Sequence, residues 1–143
     1  MSEESVGVGK LMEAIKGKWP EENMKSRKIV KESDGRILHF WNGNQLESPP
    51  HKCTILCSTP LATSGIFEMA PGQWGLPDVH TGCEIYLCME GTVTVEGGDT
   101  CKDVNAGELF YVAPGETHRV FNHTDKSVKV FFTVSGGMEA PNK

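Results

Sequence analysis

Residues 72–91, which read GQWGLPDVHTGCEIYLCMEG, decide how this chain is interpreted. They place Asp78, His80 and Glu84 within seven residues. On one straight β-strand, His80 and Glu84 would share a face but lie about 13 Å apart. The segment Thr81-Gly82-Cys83 therefore predicts a tight reversal, because glycine permits the positive φ that such a turn needs. A carboxylate and an imidazole that converge in this way can bind a divalent metal.

The composition predicts one soluble domain. The chain has 143 residues, of which 38% are hydrophobic and 23% charged, and its formal net charge is −5. That length allows one domain with a real core. The acidic balance argues against nucleic acid or an anionic membrane as partner, because both attract a basic patch. No window approaches the roughly 18–20 apolar residues of a membrane span.

The cysteines and the N-terminus predict a cytoplasmic protein. The first residues, MSEESVGVGK, are polar and acidic and do not resemble a secretory signal. Five cysteines are present, an odd number, and no two are spaced as C-x-x-C. Reduced thiols in the cytoplasm are therefore expected.

Residues 1–30 differ from the rest and are predicted to form an N-terminal extension to a domain of residues 31–143. Leu11, Ile15 and Trp19 recur at the spacing of one helical face, and Pro20 ends the pattern. We expect a short amphipathic helix that lies against the main body or a partner subunit.

The remaining chain is divided into short β-type runs by Gly, Pro and Asn turn signals. No helical pattern separates the runs, so about seven to nine strands should form an antiparallel sandwich or barrel. The runs outside residues 72–91 are Arg36–Trp41, Lys52–Cys57, Ser64–Met69, Thr92–Glu96, Glu108–Ala113, His118–Asn122 and Ser127–Val134.

A second histidine follows in residues 107–122. His118 opens a strand after the Pro114-Gly115 turn. His118, Val120 and Asn122 alternate to one face, so Asn122 should point inward if His118 does.

These segments can be compared with the two sequence motifs of one known protein family. The pattern G-x5-H-x-H-x3,4-E-x6-G is matched by Gly72, Asp78, His80, Glu84 and Gly91. The pattern G-x5-P-x-G-x2-H-x3-N is matched by Gly107, Ala113, Gly115, His118 and Asn122. Eight of the ten marked positions agree, with Asp78 in a histidine place and Ala113 in a proline place. The chain therefore resembles a small single-domain cupin.

The resemblance implies an all-β, antiparallel barrel of the jelly-roll (double-stranded β-helix) type that holds a divalent metal. It carries His80, Glu84 and His118 over as ligands, with Fe, Mn, Ni, Co or Zn as the cofactor and open positions for substrate or water. Asp78 has three alternatives. It could be a further ligand, an acceptor that holds His80 in one tautomer, or a solvent-facing residue beside a reduced or lost site.

Other residues are expected to line the cavity. Tyr86 and Cys88 alternate to the same face as Glu84. Tyr86 could donate a hydrogen bond or a proton to a substrate, or could simply pack in the core. Trp74 is a candidate residue at the pocket mouth, and Asn122 a candidate pocket residue.

The resemblance implies a metal-dependent enzyme, a dioxygenase, isomerase or lyase, acting on a small polar or carbonyl-bearing molecule. Glu84 or Tyr86 would move the proton. The alternative is a non-catalytic domain that binds a small ligand and has a degenerate or empty metal site. No G-x-S-x-G, phosphate loop or C-x-x-C motif offers another chemistry. A homodimer formed through sheet edges is also expected.

Overall fold

The computed structural model describes residues 3–7, 29–41, 51–59, 61–75 and 77–135. Within these ranges, regular structure consists of ten strands and one 3₁₀ turn, Glu32–Asp34. The strands are β1 (Glu3–Gly7), β2 (Arg36–Trp41), β3 (His51–Ser58), β4 (Ala62–Met69), β5 (Glu84–Glu90), β6 (Thr92–Gly97), β7 (Thr100–Asn105), β8 (Leu109–Val112), β9 (His118–Phe121) and β10 (Val128–Ser135).

All seven predicted runs form strands, with ends that shift by two residues or fewer. The structure adds β5 from the opening stretch, and also β1 and β7. Strand β7 was not predicted because its sequence, TCKDVN, shows no hydrophobic alternation. Only Val104 of its residues is buried. The predicted helix at residues 11–19 lies outside the described residues, so the proposed extension 1–30 stays a prediction.

The strands form two sheets that face each other. The large sheet has the order β1-β2-β3-β4-β10-β5-β8, and the small sheet has the order β7-β6-β9. Every pairing is antiparallel except that of β1 with β2, which is parallel. No ladder between the described strands joins the two sheets. The all-β antiparallel prediction is confirmed, and the expected barrel is open at its sides.

The core lies between the sheets because each strand alternates its side chains between two faces. Strand β10 illustrates this, since Val128, Val130, Phe132 and Val134 are buried and the residues between them are not fully buried. Val93 and Val95 of β6 face them from the small sheet and are fully buried.

The expectations of reduced cysteines and of no membrane-spanning segment can be compared with this fold. All five cysteines are free. Among the residues that the structure describes, no helix is long and apolar enough to cross a membrane.

Gly65 is predicted to be required for close packing within the large sheet. A Cβ atom at this position would clash with the carbonyl oxygen of Thr54 and lie 3.1 Å from the ring of Phe132. Gly65→Ala should therefore lower the free energy of unfolding by roughly 1–3 kcal/mol, measured by urea denaturation. The neighbouring Ser64→Ala removes one hydrogen bond to Thr133 and should cost about 1 kcal/mol or less. Equal losses for the two variants would contradict the packing argument.

Candidate metal centre

Four titratable side chains converge between the two sheets. One ligand atom from each of Asp78, His80 and His118 lies within 4.8 Å of the others. The Oε1 atom of Glu84 lies 3.0 Å from Nε2 of His80 and 3.0 Å from Nε2 of His118. His80, Glu84 and His118 are all buried. The structure thus brings together the four residues that the sequence singled out as metal ligands.

The chain reaches this geometry by bending at Thr81 and Gly82 as it crosses between the sheets, so the predicted change of direction is present and only the predicted positive φ at Gly82 is wrong. Gly82 does not have a positive φ, which occurs at five other glycines of the described chain. Asp78 pairs with His118 of the small sheet, whereas Glu84 begins β5 of the large sheet. The residues between them form the crossing, which the N–H of Gly115 fixes by donating to the carbonyl of His80 at 2.9 Å. His80 and Glu84 therefore do not lie on one straight strand, and the separation of about 13 Å that such a strand would impose on them does not arise.

A one-residue bulge orients Asp78. The segment before the crossing pairs with β9, with Trp74 opposite Phe121 and Asp78 opposite His118. Four residue steps from Trp74 to Asp78 thus match three steps from Phe121 to His118 on β9, so the segment before the crossing carries one extra residue. Residues directly opposite in an antiparallel pair point to the same face. The bulge therefore turns Asp78 toward the inner face, where His118 lies.

Backbone carbonyls fix both imidazole rings. The Nδ1 atom of His80 lies 2.7 Å from the carbonyl oxygen of Gly82, and that of His118 lies 2.9 Å from the carbonyl oxygen of Glu116. A carbonyl oxygen can only accept, so each Nδ1 carries a hydrogen and donates it. In the neutral rings Nε2 then presents its lone pair, which is the form that a metal binds. Gly82, and not Asp78, is thus the acceptor that sets the His80 tautomer.

The two Nε2 atoms face an oxygen that also accepts. Unless each ring carries a second proton, the lone pair on Nε2 faces a lone pair on Oε1 of Glu84, and the two repel each other. A cation between the Nε2 atoms and Oε1 would remove this repulsion. Burial acts to lower the pKa of His80 and His118, but the hydrogen bonds to Glu84 and its charge outweigh burial and raise it. For Glu84, burial acts to raise the pKa, but the two histidines lower it overall.

The donor set fits a divalent cation. Two donor atoms bound to one cation at about 2.1 Å and at right angles lie about 3.0 Å apart, which matches the separation of Oε1 from each Nε2. Imidazoles with carboxylates suit Fe, Mn, Co, Ni or Zn. The half-buried Asp78 accepts the N–H of Val79 on Oδ1, and its second oxygen remains able to bind a cation. Burial is the main reason that its pKa is raised.

Tyr86 lies beside this group. Its side chain is buried, and its ring centroid lies 6.3 Å from that of His118. Burial, reinforced by the charges of Glu84 and Asp78, raises its pKa well above the usual value. Tyr86 is therefore a protonated hydrogen-bond donor at the edge of the group.

Trp74 and Cys88 are not brought together with the imidazoles. Trp74 is opposite Phe121, which lies on the outer face of the small sheet, where the guanidinium of Arg119 sits 4.6 Å from its ring centroid. Cys88 is on the same face as Glu84 but at the other end of β5, and its thiol donates to the carbonyl of Gly91 at 3.3 Å. The fold thus gives Trp74 a place on the outer surface and Cys88 a place in the core.

Asn122 does point inward, as its alternation with His118 predicts, and is buried. Its amide nitrogen donates to the carbonyls of Met69 and Lys126, at 3.1 Å and 2.7 Å. Its amide oxygen accepts from the N–H and the hydroxyl of Thr124. These bonds use both amide hydrogens and both lone pairs of the oxygen, so Asn122 organises the turn after β9.

One hydroxyl pair that shares the row of Glu84 has no signal in the local sequence. Thr63 pairs with Val134, which pairs with Glu84 on the inner face of the large sheet. The hydroxyls of Ser58 and Thr63 are buried and 2.8 Å apart. Their position depends on the register of three strands that are distant in sequence, and no local pattern reports that register.

Comparison with known proteins identifies the architecture. Residues 65–134 match the family model described as a cupin domain. An RmlC-like cupin from Shewanella frigidimarina is 18% identical, with 78% of this chain and 93% of that chain covered and a TM-score of 0.64. A predicted oxalate decarboxylase from Thermotoga maritima is 14% identical, with 76% and 98% covered and a TM-score of 0.65. A cupin 2 conserved barrel domain protein from Rhodopseudomonas palustris is 16% identical, with 82% and 85% covered and a TM-score of 0.63.

These identities are low, so the structural likeness establishes the fold and does not transfer an activity. No curated protein matches the sequence.

The role of Asn122 can be separated from that of the metal ligands. Asn122→Ala removes four hydrogen bonds, one buried and three partly buried, and should lower the free energy of unfolding by roughly 2–3 kcal/mol in urea denaturation. The affinity of the folded variant for added Mn²⁺ should stay unchanged. A large loss of Mn²⁺ affinity with normal stability would instead assign Asn122 to the site.

Cation binding should release protons from the two histidines. Both have raised pKa values, so at pH values below them each ring carries an Nε2 proton that must leave when Nε2 binds the cation. Apparent affinity should therefore rise with pH, by about tenfold per pH unit for each proton released and up to about 100-fold for two. Calorimetry in buffers of different ionisation enthalpy measures the proton count directly. An affinity that is independent of pH between 5 and 7 would contradict the arrangement (roughly the histidine titration range).

Proposed function

We propose that this chain, whose residues 65–134 match the family model described as a cupin domain, is a metal-dependent enzyme acting on a small polar or carbonyl-bearing molecule. One observation carries the proposal: two imidazoles with fixed Nδ1–H donors direct their Nε2 atoms at the same carboxylate oxygen. This arrangement is suited to a cation held by His80, Glu84 and His118.

Asp78 is proposed as a fourth ligand. Its ligand oxygen is near both imidazoles, and a second carboxylate favours harder cations such as Mn²⁺ or Fe²⁺ over Zn²⁺. When bound, the cation would act as a Lewis acid that polarises a substrate oxygen.

The residues of the chain would bind the substrate and handle its proton. Tyr86 retains its proton at neutral pH, because its pKa is raised, and can donate a hydrogen bond to a substrate oxygen beside Glu84. Glu84 can accept a proton when its contact with a histidine is broken, which makes it the candidate base. Phe67 packs edge-on against Tyr86, with ring centroids 5.8 Å apart, and this contact holds the Tyr86 ring in place.

The side chains around the candidate site support a proposal for the class of substrate. The walls next to the group are mostly apolar, with Phe132 and Val134 buried in the large sheet and the Ser58–Thr63 hydroxyl pair in the row of Glu84. This lining favours a compact molecule with its oxygens directed at the cation. The similar Thermotoga maritima protein is described as a predicted oxalate decarboxylase, which agrees with a small carboxylate or carbonyl compound. Dioxygenase, isomerase and lyase chemistry all begin from such a complex.

The second candidate is a non-catalytic domain that binds a small ligand without a metal. It is favoured by the hydrogen bonds from His80 and His118 to Glu84, which satisfy all three groups when both rings are protonated. In either case we propose a cytoplasmic protein that forms a homodimer and has a small molecule, not nucleic acid or membrane, as its ligand.

Histidine substitutions distinguish the two functions. His80→Ala and His118→Ala should each lower Mn²⁺ or Fe²⁺ affinity by more than about tenfold, measured by titration and by elemental analysis of protein made without a metal-affinity tag. The circular dichroism spectrum should be retained. His123→Ala is the matched control, because His123 is exposed and stacks on Phe121 outside the site. Purified protein that contains no stoichiometric metal and gains no activity from added metal would favour the binding function.

Asp78→Asn tests the proposed fourth ligand. Asparagine keeps the size and one oxygen but loses the charge, so affinity for Mn²⁺ should fall by about tenfold or more while the tautomer-setting bond from His80 to Gly82 is untouched. An affinity equal to that of the unmodified protein would exclude Asp78 from coordination and leave a three-residue site.

A further inference from the structure

Two hydroxyl groups on the inner face of the large sheet, those of Ser58 and Thr63, are not used by the candidate metal centre. The two residues are opposite each other, near the end of β3 and the start of β4. Their oxygens are 2.8 Å apart, and only 4% of the Ser58 surface and 1% of the Thr63 surface are exposed. We call these two side chains the hydroxyl pair.

The hydroxyl pair has one more hydrogen than its internal contact can use. Each hydroxyl carries one hydrogen, and the bond between the two oxygens takes up only one of them. In the part of the chain that the structure describes, neither oxygen makes a second hydrogen bond. Whichever hydroxyl donates within the pair, the other therefore keeps a buried O–H group without an acceptor. Unsatisfied buried donors are costly and rare, so we expect an acceptor that is not part of these residues.

The hydroxyl pair lies on the same inner face as the candidate metal centre. Thr63, Val134 and Glu84 form one row across β4, β10 and β5. Two strand spacings of about 4.8 Å separate Thr63 from Glu84, about 10 Å in all. Only Val134 stands in the row between them, and its side chain has no polar atom that could accept the spare hydrogen. A molecule bound at Glu84 that extends along this row would therefore meet the hydroxyl pair.

This separation sets the length of a molecule that could reach both groups. A hydrogen bond at the hydroxyl pair and a contact at the metal centre each take up about 2–3 Å of the distance. The two oxygens of a bridging molecule would then lie roughly 5 Å apart. Oxygens on the first and fourth carbons of an extended chain are separated by about this distance, whereas a two-carbon dicarboxylate is too short.

We propose that the hydroxyl pair is a second binding point for the substrate, which donates its spare hydrogen to a carbonyl or carboxylate oxygen. The substrate class is then an acid of four or five carbons with a second oxygen on its fourth carbon. This inference rests on the proposed function, because the acid group itself is held at His80, Glu84 and His118. The hydroxyl pair selects and positions the substrate and takes no part in proton transfer.

Two probe acids of equal charge test the second binding point. Levulinate carries a ketone on its fourth carbon, and pentanoate carries a methylene group there. In calorimetric titration of the whole chain with Mn²⁺ present, levulinate should bind roughly fivefold or more tightly than pentanoate, because levulinate alone can accept the spare hydrogen. Equal affinities of the unmodified protein for the two acids would overturn the proposal, and this comparison requires no variant.

Removal of both hydroxyls should abolish the preference for levulinate. The double variant Ser58→Ala with Thr63→Val replaces both partners by apolar groups of similar shape, so it should fold and keep its affinity for Mn²⁺. Thr63→Ser retains a hydroxyl and should retain the preference. The matched control is Ser64→Ala with Thr133→Val, which removes a hydroxyl contact of 2.8 Å from the outer face of the same sheet. A preference that survives in the double variant, or that disappears in the control, would contradict the proposal.

Failure of this inference and failure of the proposed function give different results. Titration with Mn²⁺ before any acid is added reports on the metal centre alone, and an absence of binding there refutes the metal. The two acids are then titrated into the metal-free protein, where a preference for levulinate that is lost in the double variant still supports the hydroxyl pair. Equal losses of affinity for both acids in the double variant would overturn the inference and leave a buried water as the acceptor.

Discussion

One carboxylate oxygen of Glu84 faces two imidazole nitrogens, and the candidate site depends on this contact. Because Gly82 and Glu116 hold the opposite ring nitrogens as donors, neither histidine can turn its other nitrogen toward Glu84 without losing a buried hydrogen bond. The contact therefore needs positive charge, either two protons or a cation. The fold thus sets the positions of the three side chains, and either two protons or one cation supplies the positive charge between them.

Much of the fold could be predicted from the sequence, because strand runs and their turn signals are local. Alternation located β10 and the inward-facing pair His118 and Asn122. The polar edge strand β7 and the strand β1 could not be predicted in this way, since their place depends on pairing with partners and not on an apolar face. The family motifs then identified the architecture that joins these strands.

Less of the candidate site than of the fold could be predicted from the sequence. The motifs located its four donors, and the change of direction expected at Thr81 and Gly82 is present. The positive φ expected at Gly82 is not, because the chain crosses here between two sheets, an arrangement that only the tertiary fold defines. Trp74 was assigned to the pocket mouth although strand pairing puts it on the outer face. The hydroxyl pair Ser58–Thr63 depends on register across three strands and left no sequence signal.

The extra residue between Trp74 and Asp78 shows that the face of Asp78 follows from its cross-strand partner and not from its distance along the chain. Strict alternation from the outward-facing Trp74 would turn a residue four steps later outward. Asp78 faces inward because it lies opposite His118. Loss of the extra residue would restore three steps against three, with the aspartate still opposite His118, so the donor set tolerates a change of one residue in the length of this segment.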